Sequence, residues 1–292
     1  MSVSKERQCT SVEIVTFNIN QNAEALKNVL WNLKKEADLI VVCLQESAWF
    51  CDYKTLMSEI LTEYECKAEE FYGFIWAGFT RLYVLQKKSV QTVFTLKHQT
   101  MCFSMIKKPW KGAIFMKCES QDFIRPFVFV GVHFHAFEGV CHQIQRKQDF
   151  GNIFTKLFTD YWDCNWALCG DFNFRKTSAK ALEDEFTPYS RQYKIKEHAW
   201  SYGNTYKVDS KNEQDFDTKR IASRTDRIIH NKNKDKQNRE VCIEEYGIAT
   251  PYQNSPANHS DHKAVYECFK IMHNKLQQNN WYIFEHDTEL PK

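Results

Sequence analysis

Residues 39–44 read LIVVCL, six apolar residues with no polar alternation. A strand with one wet face alternates between apolar and polar positions. A continuous run is apolar on both sides and has to be covered on both. Residues 12–17 (VEIVTF), 113–117, 126–134 and the segment ending at Cys169 supply further strands of related character. Such strands call for a sheet packed on a second sheet, with helices outside.

The helices are written at a different period. Asn22 is a candidate N-cap for a helix through residue 35, with Ala25, Leu26, Val29, Leu30 and Leu33 on one face. Residues 53–64 and 141–161 carry two more helical patterns. Strands are also expected at 70–76, 82–86, 91–96, 228–229, 241–246 and 264–272. Residues 176–225 are polar and assign poorly, and NKNKDKQNRE (231–240) reads as a solvated loop. Residues 1–272 are expected to form a single catalytic domain, with 273–292 a tail packed on it.

Composition narrows the function classes. Of 292 residues, 43% are hydrophobic and 15% aromatic, enough for a sizeable core. The formal net charge of +2 lacks the strongly basic footprint of a general nucleic-acid binder. The 11 cysteines contain no CxxC pair, so a zinc site is not expected and reduced, mostly buried thiols are. No signal-peptide core, lipidation box or membrane-spanning run is present, and a cytoplasmic location, peripheral at membranes, is the expectation.

Polar groups recur where strands meet loops, the place where ligand chemistry gathers in sheet proteins. Asn18 follows the first strand, Glu46 the second and His133 a later one. Asp171 and Asn173 close CGDFNFR, while Asp226, Asp261 and His262 lie in SRTDRI and HSDHKAV. Any one of these has an ordinary reading as a cap, a turn or a solvent-facing residue. As a set they are the equipment for a hard divalent cation, a water and a phosphate ester. Mg²⁺ takes oxygen ligands and keeps several waters, so Glu46 and Asn18 suffice to hold it. Asp171 can accept the proton of an attacking water. Asn173, His133 and His262 can donate to a charge-rich transition state, with Asp226 holding His262 in one tautomer.

These segments resemble the inositol polyphosphate 5-phosphatases of the endonuclease/exonuclease/phosphatase superfamily. The signatures run in order as TFNIN (16–20), LQES (44–47), KGAI (111–114), VHFHA (132–136), GDFNFR (170–175), TYKVD (205–209), KRIASRTDRI (219–228) and SDHKAV (260–265). The resemblance implies a four-layer α/β sandwich: two facing mixed or antiparallel sheets flanked by helices. It implies Mg²⁺ on Glu46 with Asn18, water activation by Asp171, phosphate held by Asn173 and His133, an Asp226–His262 pair, and Asp261 near the metal. It also implies that Tyr206, Lys207, Lys219 and Arg220 embrace a neighbouring 4-phosphate, with Lys111 a further phosphate contact. Arg suits bidentate grip of a phosphate, and Lys acts as a point charge.

The chain departs from the family in several places. The usual Pro-x-Trp-Cys before DRI is Ala222-Ser223-Arg224-Thr225, Asn-Ser before the catalytic His is Gly131-Val132, and the final Pro is Ala264. The Gly-rich segment before KG is IKKPW (106–110). None removes an acid, base or metal ligand. The expected partners are a phosphoinositide or inositol phosphate and, transiently, an anionic membrane surface; nucleic acid is not expected. Two alternatives stay open: a nuclease or deadenylase on the same scaffold, and a catalytically silent phosphoinositide-binding module.

Overall fold

The computed structural model describes residues 9–103, 111–175, 185–192, 196–197, 204–209, 212–216, 223–231, 241–249 and 260–273. Lys219, Arg220, most of the charged 231–240 stretch and the tail from 274 lie outside them.

Two six-stranded sheets face each other. The first contains β1 (Cys9–Asn18), β2 (Leu39–Ser47), β3 (Tyr64–Phe74), β4 (Gly78–Lys87), β13 (Val241–Ala249) and β14 (Ala264–Met272), ordered β13-β14-β1-β2-β4-β3. The second contains β5 (Thr95–Cys102), β6 (Gly112–Glu119), β7 (Phe127–His133), β8 (Asn165–Asp171), β9 (Lys196–Glu197) and β12 (Asp226–His230), ordered β5-β6-β7-β8-β12-β9. A small ribbon pairs β10 (Val208–Asp209) with β11 (Asn212–Phe216).

Each large sheet holds one parallel pair, β1 with β2 and β7 with β8, and is otherwise antiparallel. This topology makes the site. A parallel pair delivers two C-terminal strand ends to the same edge. Register sets His133 beside Asp171, and antiparallel β12 begins there with Asp226 opposite Asp171.

The continuous apolar runs are buried on both sides, as their composition requires. Val41 and Cys43 enter the core between the sheets, with Met116, Phe129 and Ile228 opposite. Val42 and Leu44 face the outer layer formed by α1 (Ala23–Trp31) and α2 (Tyr53–Ile60). The long helix α3 (Val140–Asp160) covers the other sheet through Phe150, Ile153, Phe154 and Leu157. Each such side chain withdrawn from water contributes about 1.5–3 kcal/mol. The inner core is not wholly apolar: His230 and Glu267 join the sheets through a 2.6 Å bond between buried groups.

Several element ends differ from the sequence reading. Asn22 caps α1 by accepting from the Glu24 and Ala25 amides, but the helix stops at Trp31, and Lys35 has a left-handed φ of 58°. Leu33 is buried just beyond the helix, so the apolar spacing outruns the hydrogen-bonded turns. α2 ends at Ile60 because Tyr64 already belongs to β3. The strand expected at 91–96 runs from Thr95 to Cys102; at 91–94 the chain instead folds over Gln86, whose amide donates to the Val90 and Thr92 carbonyls. Of the ten cysteines whose side chains are described, only Cys43, Cys118, Cys164 and Cys169 are buried.

Gly170, the next-to-last residue of β8, has φ +152°, and a Cβ there would lie 2.0 Å from the Val132 carbonyl oxygen. The close approach of β7 and β8 therefore requires glycine. Gly170→Ala is expected to cost about 2 kcal/mol or more, seen as a lower urea midpoint.

Candidate active site

Asn18, Glu46, His133, Asp171 and Asp226 gather at one rim because each ends or begins a strand there. Asp171 is the centre. Its Oδ1 accepts the Asn173 amide N–H at 2.9 Å. Its Oδ2 accepts Asn173 Nδ2 at 3.0 Å and Asn18 Nδ2 at 3.2 Å, the latter crossing from the facing sheet. Burial pushes the carboxyl above its ordinary range and Asp226 adds to this, while His262, Lys111 and Arg175 pull it back. Such a carboxylate is poised to take a proton.

Asn173 is fully engaged. Its Nδ2 also donates to the Phe134 carbonyl at 3.1 Å, and its Oδ1 accepts Arg175 Nη2 at 2.7 Å. Its φ of 53° makes the turn that brings this amide back over Asp171. In this arrangement Asn173 fixes the orientation of the Asp171 carboxylate.

Glu46 also has a left-handed φ, 52°, at a bulge where β2 loses register with β4. Gly78 makes the bulge possible, since a Cβ there would lie 2.7 Å from Glu46 Cα. The turn is braced by Ser47 Oγ donating to Phe79 O at 2.9 Å while accepting Arg81 Nε at 3.1 Å. The Glu46 carboxylate is about a third exposed, with Oε1 3.6 Å from His133 Nε2.

The two site histidines are driven in opposite directions. His133 Nε2 contacts Lys111 Nζ; an ammonium can only donate, so Nε2 accepts and the ring carries its proton on Nδ1. Burial, then the Lys111 charge, hold its pKa well below the ordinary value, and the ring is neutral. His262 Nδ1 lies 2.9 Å from Asp226 Oδ2, which also accepts the Thr225 hydroxyl at 2.9 Å. Burial opposes charge here too, but Asp226, Asp171 and Asp261 outweigh it, and the pKa rises to about 9. With Nδ1–H committed to Asp226, Nε2–H is the donor left for an anion.

The structure thus brings together Asn18, Glu46, Lys111, His133, Asp171, Asn173, Asp226 and His262. Asp261 is half-buried and near enough to favour the charged form of His262. Tyr206 is buried against His262, and Lys207 beside it is half-buried. Lys219 and Arg220 lie outside the described residues.

Sequence reading missed the supports. Arg146 is wholly buried, holds Glu185 with two hydrogen bonds of 2.7 and 2.8 Å, and donates to the carbonyls of His135 and Phe137. Asp149, equally buried, binds His135 Nδ1 at 2.6 Å. Both acids and bases clamp the chain leaving His133. The available signal was that Arg146 and Asp149 share the helical face of Phe150, Ile153 and Leu157.

A hard cation fits this donor set. Among the described residues Asn18 Oδ1 accepts the Asn20 N–H alone, at 3.2 Å, and keeps a lone pair. Asp226 Oδ1 is buried with no hydrogen-bond partner among the described residues. The ligand atoms of Asp171, Asp226 and His262 also lie within 4.8 Å of one another, but cationic His262 offers a metal no lone pair. Oxygen donors with few competing partners suit Mg²⁺ or Ca²⁺.

No protein-family model and no curated protein matches the chain. Solved structures do. The inositol polyphosphate 5-phosphatase domain of SPsynaptojanin, in complex with inositol (1,4)-bisphosphate and calcium ion, aligns at TM-score 0.69 and 18% identity over 94% of this chain and 89% of that one. Cimex nitrophorin, as a ferrous NO complex, aligns at 0.65 and 17% over 91% and 99%. TDP2 of D. rerio, complexed with single-strand DNA product, aligns at 0.60 and 15% over 89% and 98%. Bacterial endonuclease/exonuclease/phosphatase family proteins are further neighbours. The chain has the endonuclease/exonuclease/phosphatase fold.

Two outcomes follow from the electrostatics. Asp171→Asn sets an NH₂ against groups that all donate, so it should lower the melting temperature by several degrees. The cationic form of His262 is present below about pH 9, so binding of inorganic phosphate at this rim should weaken as pH rises through that value. Stability linked to its charge is complete below the ordinary pKa of 6.5 and lost through about 9. His262→Asn should remove the limb from both the phosphate-binding profile and the pH dependence of unfolding.

Proposed function

We propose that the chain is a divalent-metal-dependent phosphoesterase that removes the 5-phosphate from phosphoinositides or soluble inositol polyphosphates. The observation carrying this reading is the convergence of Asp171, Asn18, Glu46, Lys111 and the Asp226–His262 pair on one rim of an endonuclease/exonuclease/phosphatase fold. The ordered family signatures, TYKVD and KRIASRTDRI included, direct it to inositol phosphates.

In the proposed mechanism Asp171 orients water in line with the phosphorus and takes its proton as the P–O bond to water forms. The bond to the ring oxygen breaks, and that oxygen recovers a proton from solvent. Lys111 and cationic His262 stabilise charge gathering on the phosphoryl oxygens. Neutral His133 and the locked Asn173 keep Lys111 and Asp171 in place. Mg²⁺ held by Glu46 and Asn18 would supply Lewis-acid stabilisation of the phosphoryl group.

The rim favours a substrate carried on a surface. Trp49, Phe50, Phe74, Ile75 and Trp76 are exposed in the segments flanking Glu46, and Trp76 is 84% exposed. Phe137, Val140 and Ile144 are exposed beyond His133. Aromatic side chains of this kind settle at a membrane–water interface, and no described helix is long and apolar enough to cross a membrane.

Phosphate release from phosphatidylinositol 4,5-bisphosphate, its 3,4,5-trisphosphate and inositol 1,4,5-trisphosphate, with Mg²⁺, tests the reaction. Turnover lost in Glu46→Gln supports it. Cleavage of abasic DNA or poly(A) with no inositol turnover assigns the scaffold to nuclease work, and vesicle binding without turnover assigns it to binding alone. Trp76→Ala should weaken binding to phosphoinositide vesicles about tenfold, the effect of losing roughly 1.5 kcal/mol of apolar burial. Turnover of the soluble trisphosphate should be unchanged.

A further inference from the structure

The TYKVD segment is where the resemblance expects a grip on a neighbouring phosphate, yet Tyr206 is only 7% exposed. The Arg175 guanidinium lies 4.2 Å from its ring centroid. The His262 ring lies 4.5 Å away, tilted by 40°. Tyr206 N donates to Ser223 O at 2.9 Å, Ser223 N donates back to Tyr206 O, and Lys263 N donates to Thr205 O at 2.9 Å. The backbone therefore fastens this residue both to the strand leading into Asp226 and to the segment carrying His262.

Arg175 connects the stack to the base. Its Nη2 donates to Asn173 Oδ1, and Asn173 in turn holds both oxygens of Asp171. Its buried Nε has no hydrogen-bond partner among the described residues, which leaves the aromatic face as a main source of stabilisation on that side. Cations approach the face of a phenol ring favourably, and the His262 ring contacts it as well.

We propose that Tyr206 is a positioning residue whose ring, lodged between Arg175 and His262, couples the orientation of the Asp171–Asn173 turn to that of the Asp226–His262 pair. Its role depends on the aromatic ring and not on a hydroxyl gripping the substrate. The effect on turnover rests on the phosphoesterase reading; the coupling itself does not.

Tyr206→Phe and Tyr206→Leu in the full chain separate the possibilities, with Tyr206→Met replacing Leu if thermal melting shows the latter unfolded. Two readouts are needed. One is kcat and KM, with Mg²⁺, for inositol phosphates bearing and lacking a 4-phosphate. The other is the NMR signals of the His262 ring and the Arg175 Nε–H, recorded without substrate. The expected result is a Phe variant within about twofold of the parent in KM on both substrates, with unaltered NMR signals. The Leu variant should lose about tenfold or more in kcat at little cost in KM, and both NMR signals should move together. A Phe variant whose KM rises only for the 4-phosphate substrate overturns the proposal in favour of direct recognition. So do unmoved His262 and Arg175 signals in the Leu variant. If no inositol phosphate is turned over by the parent, the functional reading fails while the NMR comparison still decides the coupling.

Discussion

The buried carboxylate of Asp171 is the group on which the rest of the rim depends. Removing a carboxylate from water is costly unless donors replace the lost solvation. Three N–H groups do so here: the Asn173 amide, the Asn173 side chain and the Asn18 side chain. Because Asn18 belongs to β1 and Asp171 to β8, one of these bonds spans the two sheets. Ser260 reinforces the crossing by donating to the Asn18 carbonyl at 2.5 Å while accepting the His262 amide at 3.1 Å. The same contacts that keep Asp171 hydrogen-bonded therefore also set the gap between sheets and the placement of His262.

That geometry demands backbone conformations an ordinary strand does not supply. Glu46, at the bulge near the end of β2, and Asn173, two residues past β8, both take left-handed φ values, 52° and 53°. Non-glycine residues persist there only where their surroundings over-determine them. For Asn173 the surroundings are Asp171, Phe134 and Arg175; for Glu46 they are Gly78 and the Ser47–Arg81 brace. Two different local devices thus turn two strand ends toward one point.

Much of this was legible in the sequence, for a local reason. Strand cores appear as apolar runs, and the polar residues at their ends are the ones that meet at the rim, so Asn18, Glu46, His133, Asp171 and Asp226 can be read in order. The edge strand β5 was misplaced because it is largely exposed and carries little apolar signal. α1 is shorter than its apolar spacing implies because Leu33 stays buried after the hydrogen bonds stop. The contacts that decide roles were harder still. Lys111 meets His133 across 22 positions, and Tyr206 meets Arg175 and His262 only after three segments have folded together. Neither is visible in spacing. The fold itself leaves reaction class open, since nitrophorin shares it with a phosphatase domain; phosphoester chemistry is proposed from the groups at the rim.

Those groups divide acid from base by environment. Burial acts on both His133 and His262 in the same direction, toward the neutral ring. What separates them is the neighbour. His133 faces an ammonium and stays neutral; His262 faces Asp226 within hydrogen-bond distance, with Asp171 and Asp261 nearby, and holds its proton to about pH 9. Asp171, raised by burial, sits between the base-like and acid-like sides. Exchanging the neighbours of the two imidazoles would exchange their charges without altering the fold, so the chemistry belongs to Lys111 and Asp226 as much as to the histidines they govern.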